Sequence, residues 1–369
     1  MENQTVQAAV MRAVDQPLRI EGLSVRNLAP GDVRVRIEAA SICHTDLDVL
    51  QGTRPVPLPI VLGREGAGVI EAVGSEVSEF RIGERVVLSW NPYCGECFYC
   101  ANDQPTLCAR FTHGLGLGLH VDGRPCFTNQ NEVIHHLMYL GTFSEVTVVP
   151  SQMAVEVPAE LPADRGCLLG CAVMTGFGAA TNVAPVRFGS SVAVIGCGAI
   201  GLSAIQAARI AGASRILAIG HDSRQLDRAR AVGASDILRV GAGDPRVAAR
   251  AISDDRGADY VFECTGHADA LPMSLECARP GGQVVWLGEL AASEDVSIQW
   301  ARLMAERHII HSRYGGARPA RDFPQLAEAY LTGVLKLDEL IADRISLTQI
   351  NEGFAALKAG ETARTVIVF

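Results

Sequence analysis

The chain carries no cluster of basic residues, no apolar run of membrane length and no leader-like start. Each absence removes a class of function. Lys and Arg number 32 against 41 Asp and Glu, a formal net charge of -9. Such an acidic protein without a basic patch has no field to draw in a phosphate backbone or an anionic bilayer, so neither nucleic acid nor membrane is expected as a partner. No apolar stretch approaches the roughly 18 residues that suggest a spanning helix. The opening MENQTVQAAVMRAV lacks a charged start, a long apolar core and a small-residue cleavage site, so a cytoplasmic location is expected. There are 11 cysteines; an odd number in a large chain without a leader argues against a disulfide framework. Internal repeats and low-complexity linkers are also missing.

What is present reads as an ordinary globular protein. At 369 residues, 48% hydrophobic and 20% charged, the chain is long for one core, and two domains are expected. VRVRIEAA (33–40), AGVIEAVG (67–74), ERVVLSW (84–90) and FSEVTVVP (143–150) are short alternating or β-branched runs that predict strands. Residues 91–135 read as one long loop that a metal or a function must organise. From about residue 160 the pattern changes. SVAVIG, RILAIG, ADYVFECTG and GGQVVWLG read as strands separated by helical stretches, which implies a parallel, doubly wound α/β sheet. Near residue 316 the alternation stops; two helical stretches and the strand TARTVIVF complete the chain.

Two motifs carry chemistry by themselves. In CGECFYCANDQPTLC, residues Cys94, Cys97, Cys100 and Cys108 are spaced C-x2-C-x2-C-x7-C. Four thiolates on one small loop suit tetrahedral Zn²⁺ in a closed, structural role. The spacing also fits iron–sulfur ligation; zinc is favoured because nothing else in the chain points to electron transfer. In VAVIGCGAIG, Gly196, Gly198 and Gly201 form G-x-G-x-x-G around Ile200. The motif follows a strand and opens a helix, the context in which glycines let a pyrophosphate approach the backbone and the helix N-terminus. The next strand ends in Gly220, where an acidic residue would hold the ribose hydroxyls of NAD(H), and His221 and Arg224 follow. This favours NADP(H) over NAD(H), with Asp222 as the competing ribose ligand if the turn shifts by one residue. Of the scattered cysteines, Cys126, Cys167, Cys264 and Cys277 read as small buried hydrophobes. His135 and His136 read as loop or cleft residues.

CHTDLD (43–48), GREGAG (63–68), LLGCAVMTGFGA (168–179), the cysteine loop and the glycine fingerprint together resemble the zinc-containing medium-chain alcohol dehydrogenases. HHLMYLGTFSEVTVV and INEGF…ARTVIVF are most similar to the branch of glutathione- and mycothiol-dependent formaldehyde dehydrogenases. The resemblance implies a GroES-like, β-rich catalytic domain (1–172 and 316–369, with a structural-zinc lobe at 91–110) interrupted by a Rossmann domain (173–315). It also implies an active site in the cleft, a small-molecule substrate, a nicotinamide cofactor and a homodimer. It makes Cys94, Cys97, Cys100 and Cys108 the structural-zinc ligands, Cys43 and Cys171 two of three catalytic-zinc ligands, and Thr45 the hydroxyl on the substrate proton path. Glu65 becomes the carboxylate behind the zinc. His44 and Arg364 fall near the cofactor pyrophosphate, and Thr175 near the nicotinamide.

Two positions depart from that pattern. Arg64 stands where the family carries the third zinc ligand, a histidine. A guanidinium stays protonated and has no free lone pair, so it cannot ligate. Asp48 stands where many members carry the histidine that completes the proton relay. Three accounts of Arg64 follow. The catalytic zinc is lost and Arg64 fills its site, paired with Glu65, Asp46 or Asp48 or binding an anionic substrate group; or zinc persists on Cys43, Cys171 and Glu65; or Arg64 disables the site. The first is preferred, and it favours reduction of an activated C=C, a C=N or an aldehyde. The runner-up is a zinc-dependent alcohol or aldehyde dehydrogenase with a substitute ligand, with His113 and His120 the weaker substitutes. A catalytically silent cofactor-binding protein is the alternative of another class.

Overall fold

The structure is a computed structural model that describes residues 5–290, 294–360 and 364–369. The chain divides into two compact units: Met1–Cys171 with Arg318–Gly333 and Ile341–Phe369, and Ala172–Ala317 with Val334–Leu340.

The strand Asp32–Ser41 organises the first unit. Val33, Val35, Ile37 and Ala39 alternate into the core, while Arg34 and Arg36 face outward, the period-two pattern of a strand with one buried face. Gly66–Val73 pairs antiparallel along one edge, and Val146–Pro150 and Thr365–Val368 pair along the other. These belong to a seven-stranded sheet completed by Arg85–Leu88, Ala154–Glu156 and Asp343–Ile345. Thr5–Met11, Arg19–Val25, Phe127–Asn129, Glu132–His136 and Ile60–Val61 close into a small barrel. The loop expected over 91–135 therefore contains a hairpin, Phe127–Asn129 with Glu132–His136. Its first strand has three residues, too short to leave a periodic signature, and Gln130 turns the chain at φ 54°.

The second unit holds six parallel strands. In order across the sheet they are Asp236–Arg239, Arg215–Gly220, Ser191–Ile195, Ala258–Glu263, Ala278–Trp286 and His308–His311. By sequence this is 3-2-1-4-5-6, the doubly wound order whose crevice opens beyond Ser191–Ile195 and Ala258–Glu263. Gly196 turns the chain at φ 95°, and Gly198 caps the helix Ala199–Ile210. A Cβ on Gly201 would collide with the Gly196 carbonyl oxygen, so the helix packs this close to the turn only with glycine there.

One helical run, Ala163–Val183, is longer and more apolar than the sequence reading allowed. By length and composition alone it could cross a membrane, and 78% of its apolar window is buried inside the protein. That composition suits a core helix. Two π-turns, Leu169–Val173 and Ala179–Val183, interrupt it.

His136 is a core residue of the barrel, fully buried and edge-on to Phe127 at 6.1 Å. Burial, reinforced by His120 and His135, pushes its pKa from 6.5 to about 3. The folded state thus refuses a proton that the unfolded chain accepts below 6.5. Stability is full above that value and falls between 6.5 and about 3, by up to about 1.4 kcal/mol per pH unit. Comparing melting temperatures at neutral and mildly acidic pH should show a smaller acid-induced drop for His136→Leu than for the parent chain. Equal drops would remove His136 as the cause.

Candidate active site and metal centres

Four segments of the first unit build one buried pocket. The strand Asp32–Ser41 runs into Cys43, which caps the helix His44–Leu50. The Asp46 carboxylate accepts the Cys43 N–H at 3.0 Å and the Gly63 N–H at 2.9 Å, tying the first helical turn to the turn that presents Arg64 and Glu65. Gly63 has φ 96°, and a Cβ there would lie 2.8 Å from the Phe143 nitrogen, so the turn needs glycine. Pairing of Val366 with Ser41 brings Arg364 beside Ile42, whose carbonyl accepts from Arg364 Nη1 at 3.1 Å. Cys171 arrives on the π-turn Leu169–Val173.

In the pocket Arg64 Nη2 donates to Cys43 Sγ at 3.2 Å, and the guanidinium lies 5.4 Å from the Trp90 ring centroid, a cation–π distance. Arg364 Nη2 reaches Glu65 Oε1 at 3.2 Å and Cys43 Sγ at 3.8 Å. Donor atoms of Cys43, Glu65 and Cys171 all fall within 4.8 Å of one another. The sequence reading offered Arg64 a carboxylate partner; its hydrogen-bond partner is a sulfur. Asp46 is taken by two backbone N–H groups and Glu65 by Arg364.

The electrostatics follow from burial. Desolvation pushes Asp46 and Glu65 up to about 7. Cys43 is held well below the ordinary thiol range, first by its hydrogen bond with Cys171 and then, against burial, by Arg64 and Arg364. Cys171 moves the opposite way through that same hydrogen bond and burial, so the proton shared by the two sulfurs rests on Cys171. Burial opposes the Arg64 charge, but Cys171, Cys43 and Asp46 outweigh it and keep the guanidinium protonated.

The other expected residues divide by unit. Thr45 is buried on the helix His44–Leu50, with His44 exposed and Asp48 half-buried one turn on from Thr45. Arg364, expected at the cofactor pyrophosphate, makes its contacts with Ile42, Glu65 and Cys43. His120 sits between Asp32 and Asp122 at 3.2 and 3.3 Å, and His113 ends the helix Ala109–Thr112; neither belongs to a metal-holding group among the described residues. In the second unit Thr175 is buried in Met174–Gly178. Gly196, Gly198, Ile200 and Gly201 form the turn and first helical residues after Ser191–Ile195. Gly220 ends its strand, and His221 and Arg224 are exposed. Asp222 caps the helix Ser223–Val232, its Oδ1 accepting the Arg224 N–H at 2.6 Å and the Gln225 N–H at 3.4 Å. Cys126, Cys167 and Cys277 are buried and Cys264 is half-buried.

Sequence reasoning missed Trp90 and Glu263. Glu263 ends the strand Ala258–Glu263 and accepts the Thr265 N–H at 2.6 Å and the Thr265 hydroxyl. A lone carboxylate at a strand end just before C-T-G was the available signal. Nothing in the sequence pointed to Trp90, whose role comes from spatial proximity alone.

The second centre is the cysteine lobe. Cys94 and Cys100 sulfurs lie 3.9 Å apart and Cys97 and Cys108 sulfurs 4.0 Å apart, close to the ~3.8 Å edge of a tetrahedron with ~2.3 Å Zn–S bonds. All four donors fall within 4.8 Å, room for one ion and not for a multi-iron cluster. Backbone N–H groups of Cys100 and Ala109 lower the Cys97 thiol to about 6, favouring the thiolate that a metal requires. These residues fit a structural zinc, which would hold together a lobe with little apolar core.

A GroES-like unit with a four-sulfur lobe and a doubly wound unit with a dinucleotide turn define an NAD(P)-dependent oxidoreductase. Residues 29–159 match the alcohol dehydrogenase GroES-like domain and residues 199–332 the zinc-binding dehydrogenase domain. The chain is 36% identical to alcohol dehydrogenase class-3 of Myxine glutinosa, covering 100% of this chain and 99% of the relative. It is 37% identical to S-(hydroxymethyl)glutathione dehydrogenase of Saccharomyces cerevisiae, covering 98% and 95%. The crystal structure of an alcohol dehydrogenase zinc-binding domain protein from Burkholderia ambifaria superposes with a TM-score of 0.96 at 33% identity over 100% of both chains. The chain belongs to the zinc-containing medium-chain alcohol dehydrogenase family, near its formaldehyde dehydrogenase branch.

Asp46→Asn keeps one acceptor oxygen where two backbone N–H groups now converge. The variant should lose about 1–3 kcal/mol of stability in urea titration, the cost of one buried unsatisfied donor; unchanged stability would mean that the two segments are held by other contacts. Stripping zinc with a strong chelator should lower the melting temperature of the parent protein, and a chelator-insensitive protein would contradict a zinc-held lobe.

Proposed function

We propose that this enzyme is an NADP(H)-linked reductase that works without a catalytic zinc, passing hydride to an activated C=C, a C=N or an aldehyde. The observation that carries this reading is the buried Arg64 guanidinium on Cys43 Sγ at 3.2 Å. A zinc ion bound to that sulfur would meet a second fixed cation at contact range, and the guanidinium has no lone pair to serve as the third ligand. In this arrangement Cys43, Cys171 and Glu65 do not fit a catalytic metal.

The pocket's own residues then polarise the acceptor. Arg64 supplies a permanent positive charge, and its buried Nε finds no hydrogen-bond acceptor among the described residues. A carbonyl, imine or carboxylate group of the substrate would provide one. Thr45, buried on the neighbouring helix, offers the hydroxyl for proton delivery as hydride arrives. With no metal to acidify an alcohol, reduction of a polarised double bond is the easier direction. The cofactor preference rests on Gly220, which leaves no acidic side chain at the strand end, and on Arg224 beside it; the capping role of Asp222 makes it a poorer ribose ligand.

A second reading has one observation in its favour. The donor atoms of Cys43, Glu65 and Cys171 converge within 4.8 Å, so zinc on two sulfurs and a carboxylate, with Arg64 turned away, would give an ordinary alcohol or aldehyde dehydrogenase.

Metal analysis separates the two. The reductase reading expects one zinc per chain, and two zincs would sink it. Arg64→His should raise the content to two if the cysteine pair is still poised for metal. A panel of enones, imines and aldehydes should oxidise NADPH, with NADPH bound more tightly than NADH; a clear NADH preference would overturn the cofactor assignment.

A further inference from the structure

The pocket pairs two thiols with two cations. The sulfurs of Cys43 and Cys171 lie within 4.8 Å of each other, and the residues are 4% and 2% exposed. Arg64 Nη2 stands 3.2 Å and Arg364 Nη2 3.8 Å from the Cys43 sulfur. Other buried or half-buried thiols have different surroundings: Cys126, Cys167, Cys197 and Cys264 direct their sulfurs at backbone carbonyls at 3.6, 3.5, 3.5 and 3.9 Å. Adjacent fixed positive charge favours the thiolate, the nucleophilic form of a cysteine, and the carbonyl-facing sulfurs have no such partner. Cys171 also sits on a π-turn, where the helical hydrogen-bond ladder is already relaxed and a small shift of the sulfur is easier to accommodate.

We propose that Cys43 and Cys171 are a redox-active dithiol that hydroperoxides oxidise to an intramolecular disulfide, with Arg64 and Arg364 activating the attacking sulfur. The proposal rests on the reading that this pocket holds no zinc. The Cys43 thiolate attacks the terminal peroxide oxygen; the S–O bond forms, the O–O bond breaks, and the departing hydroxide takes a proton from solvent and leaves as water. The Cys171 sulfur then attacks the Cys43 sulfur. The S–S bond forms, the S–O bond breaks, and hydroxide leaves with the Cys171 proton as a second water. One thiolate and one thiol lose two electrons, and with the Cys171 proton and one proton from solvent the hydrogen peroxide becomes two waters. The sulfurs close to about 2.05 Å in the product. A low-molecular-weight thiol reverses the change by exchange, itself becoming a disulfide. In the oxidised form Arg64 no longer faces a negative sulfur, so the field that the substrate meets changes and activity falls.

The full chain, with its zinc content measured first, is treated with one equivalent of hydrogen peroxide, alkylated and mapped by mass spectrometry. A Cys43–Cys171 linked peptide should appear with unchanged zinc content, and activity should return with dithiothreitol. Cys171→Ala should stop at the first step and leave a Cys43 sulfenic acid that dimedone labels. Arg64→Leu should slow oxidation by about tenfold or more, the worth of one charge-assisted hydrogen bond. One zinc per chain and no linked peptide overturns the dithiol while leaving the zinc-free reading standing. Two zincs overturn that reading and the dithiol with it. A linkage that forms as fast in Arg64→Leu overturns the activating role of the arginine.

Discussion

The candidate site depends on one buried carboxylate holding two backbone N–H groups. Asp46 joins Cys43 to Gly63, and through them the helix carrying Thr45 and the turn carrying Arg64 and Glu65. Everything else in the pocket arrives on other segments and finds its place against this joint. A carboxylate with no water around it costs free energy to ionise, which is why Asp46 titrates near 7. The two N–H donors and the charge of Arg64 offset part of that cost. An arginine in the turn is therefore tolerable for the fold, since the pocket already holds sulfur and carboxylate charge for it to balance.

The charges in the pocket also balance without a metal. Two guanidiniums face one sulfur that carries charge and carboxylates that titrate near neutrality. On the zinc-free reading, a divalent ion added to this set would have to displace the Cys171 proton and ionise both carboxylates before the two guanidiniums and the ion could be balanced. On the zinc-free reading proposed above, an arginine where the family resemblance implies a histidine removes a ligand and supplies a positive charge of its own.

Much of this was legible in the sequence, for identifiable reasons. The alternation of Val33, Val35 and Ile37 exposed the central strand, the glycine spacing at 196–201 exposed the tight turn into the helix Ala199–Ile210, and the cysteine spacing exposed the four-sulfur lobe. Each is a local pattern set by backbone geometry or ligand count. The partner of Arg64 was not legible. It depends on Cys43 and Arg64 being joined through Asp46, and on Arg364 reaching Ile42 and Cys43 by strand pairing across more than 300 residues. The barrel hairpin was missed because its first strand has only three residues and carries no period, and the length of the apolar run at Ala163–Val183 was underestimated because its glycines read as punctuation.

Asp222 has a consequence for how this enzyme can change. Its Oδ1 starts the helix Ser223–Val232 by accepting two N–H groups, and on the cofactor reading proposed above it stands beside the residues that would meet the ribose. A carboxylate that serves a helix cannot be traded freely for one that serves a cofactor. Any lineage or engineering campaign that moves this chain between the two nicotinamide cofactors must alter Gly220, His221 or Arg224 around a fixed cap, or rebuild the start of the helix in the same step. Selectivity and local folding are thus coupled through one residue, and the accessible routes between cofactors are correspondingly few.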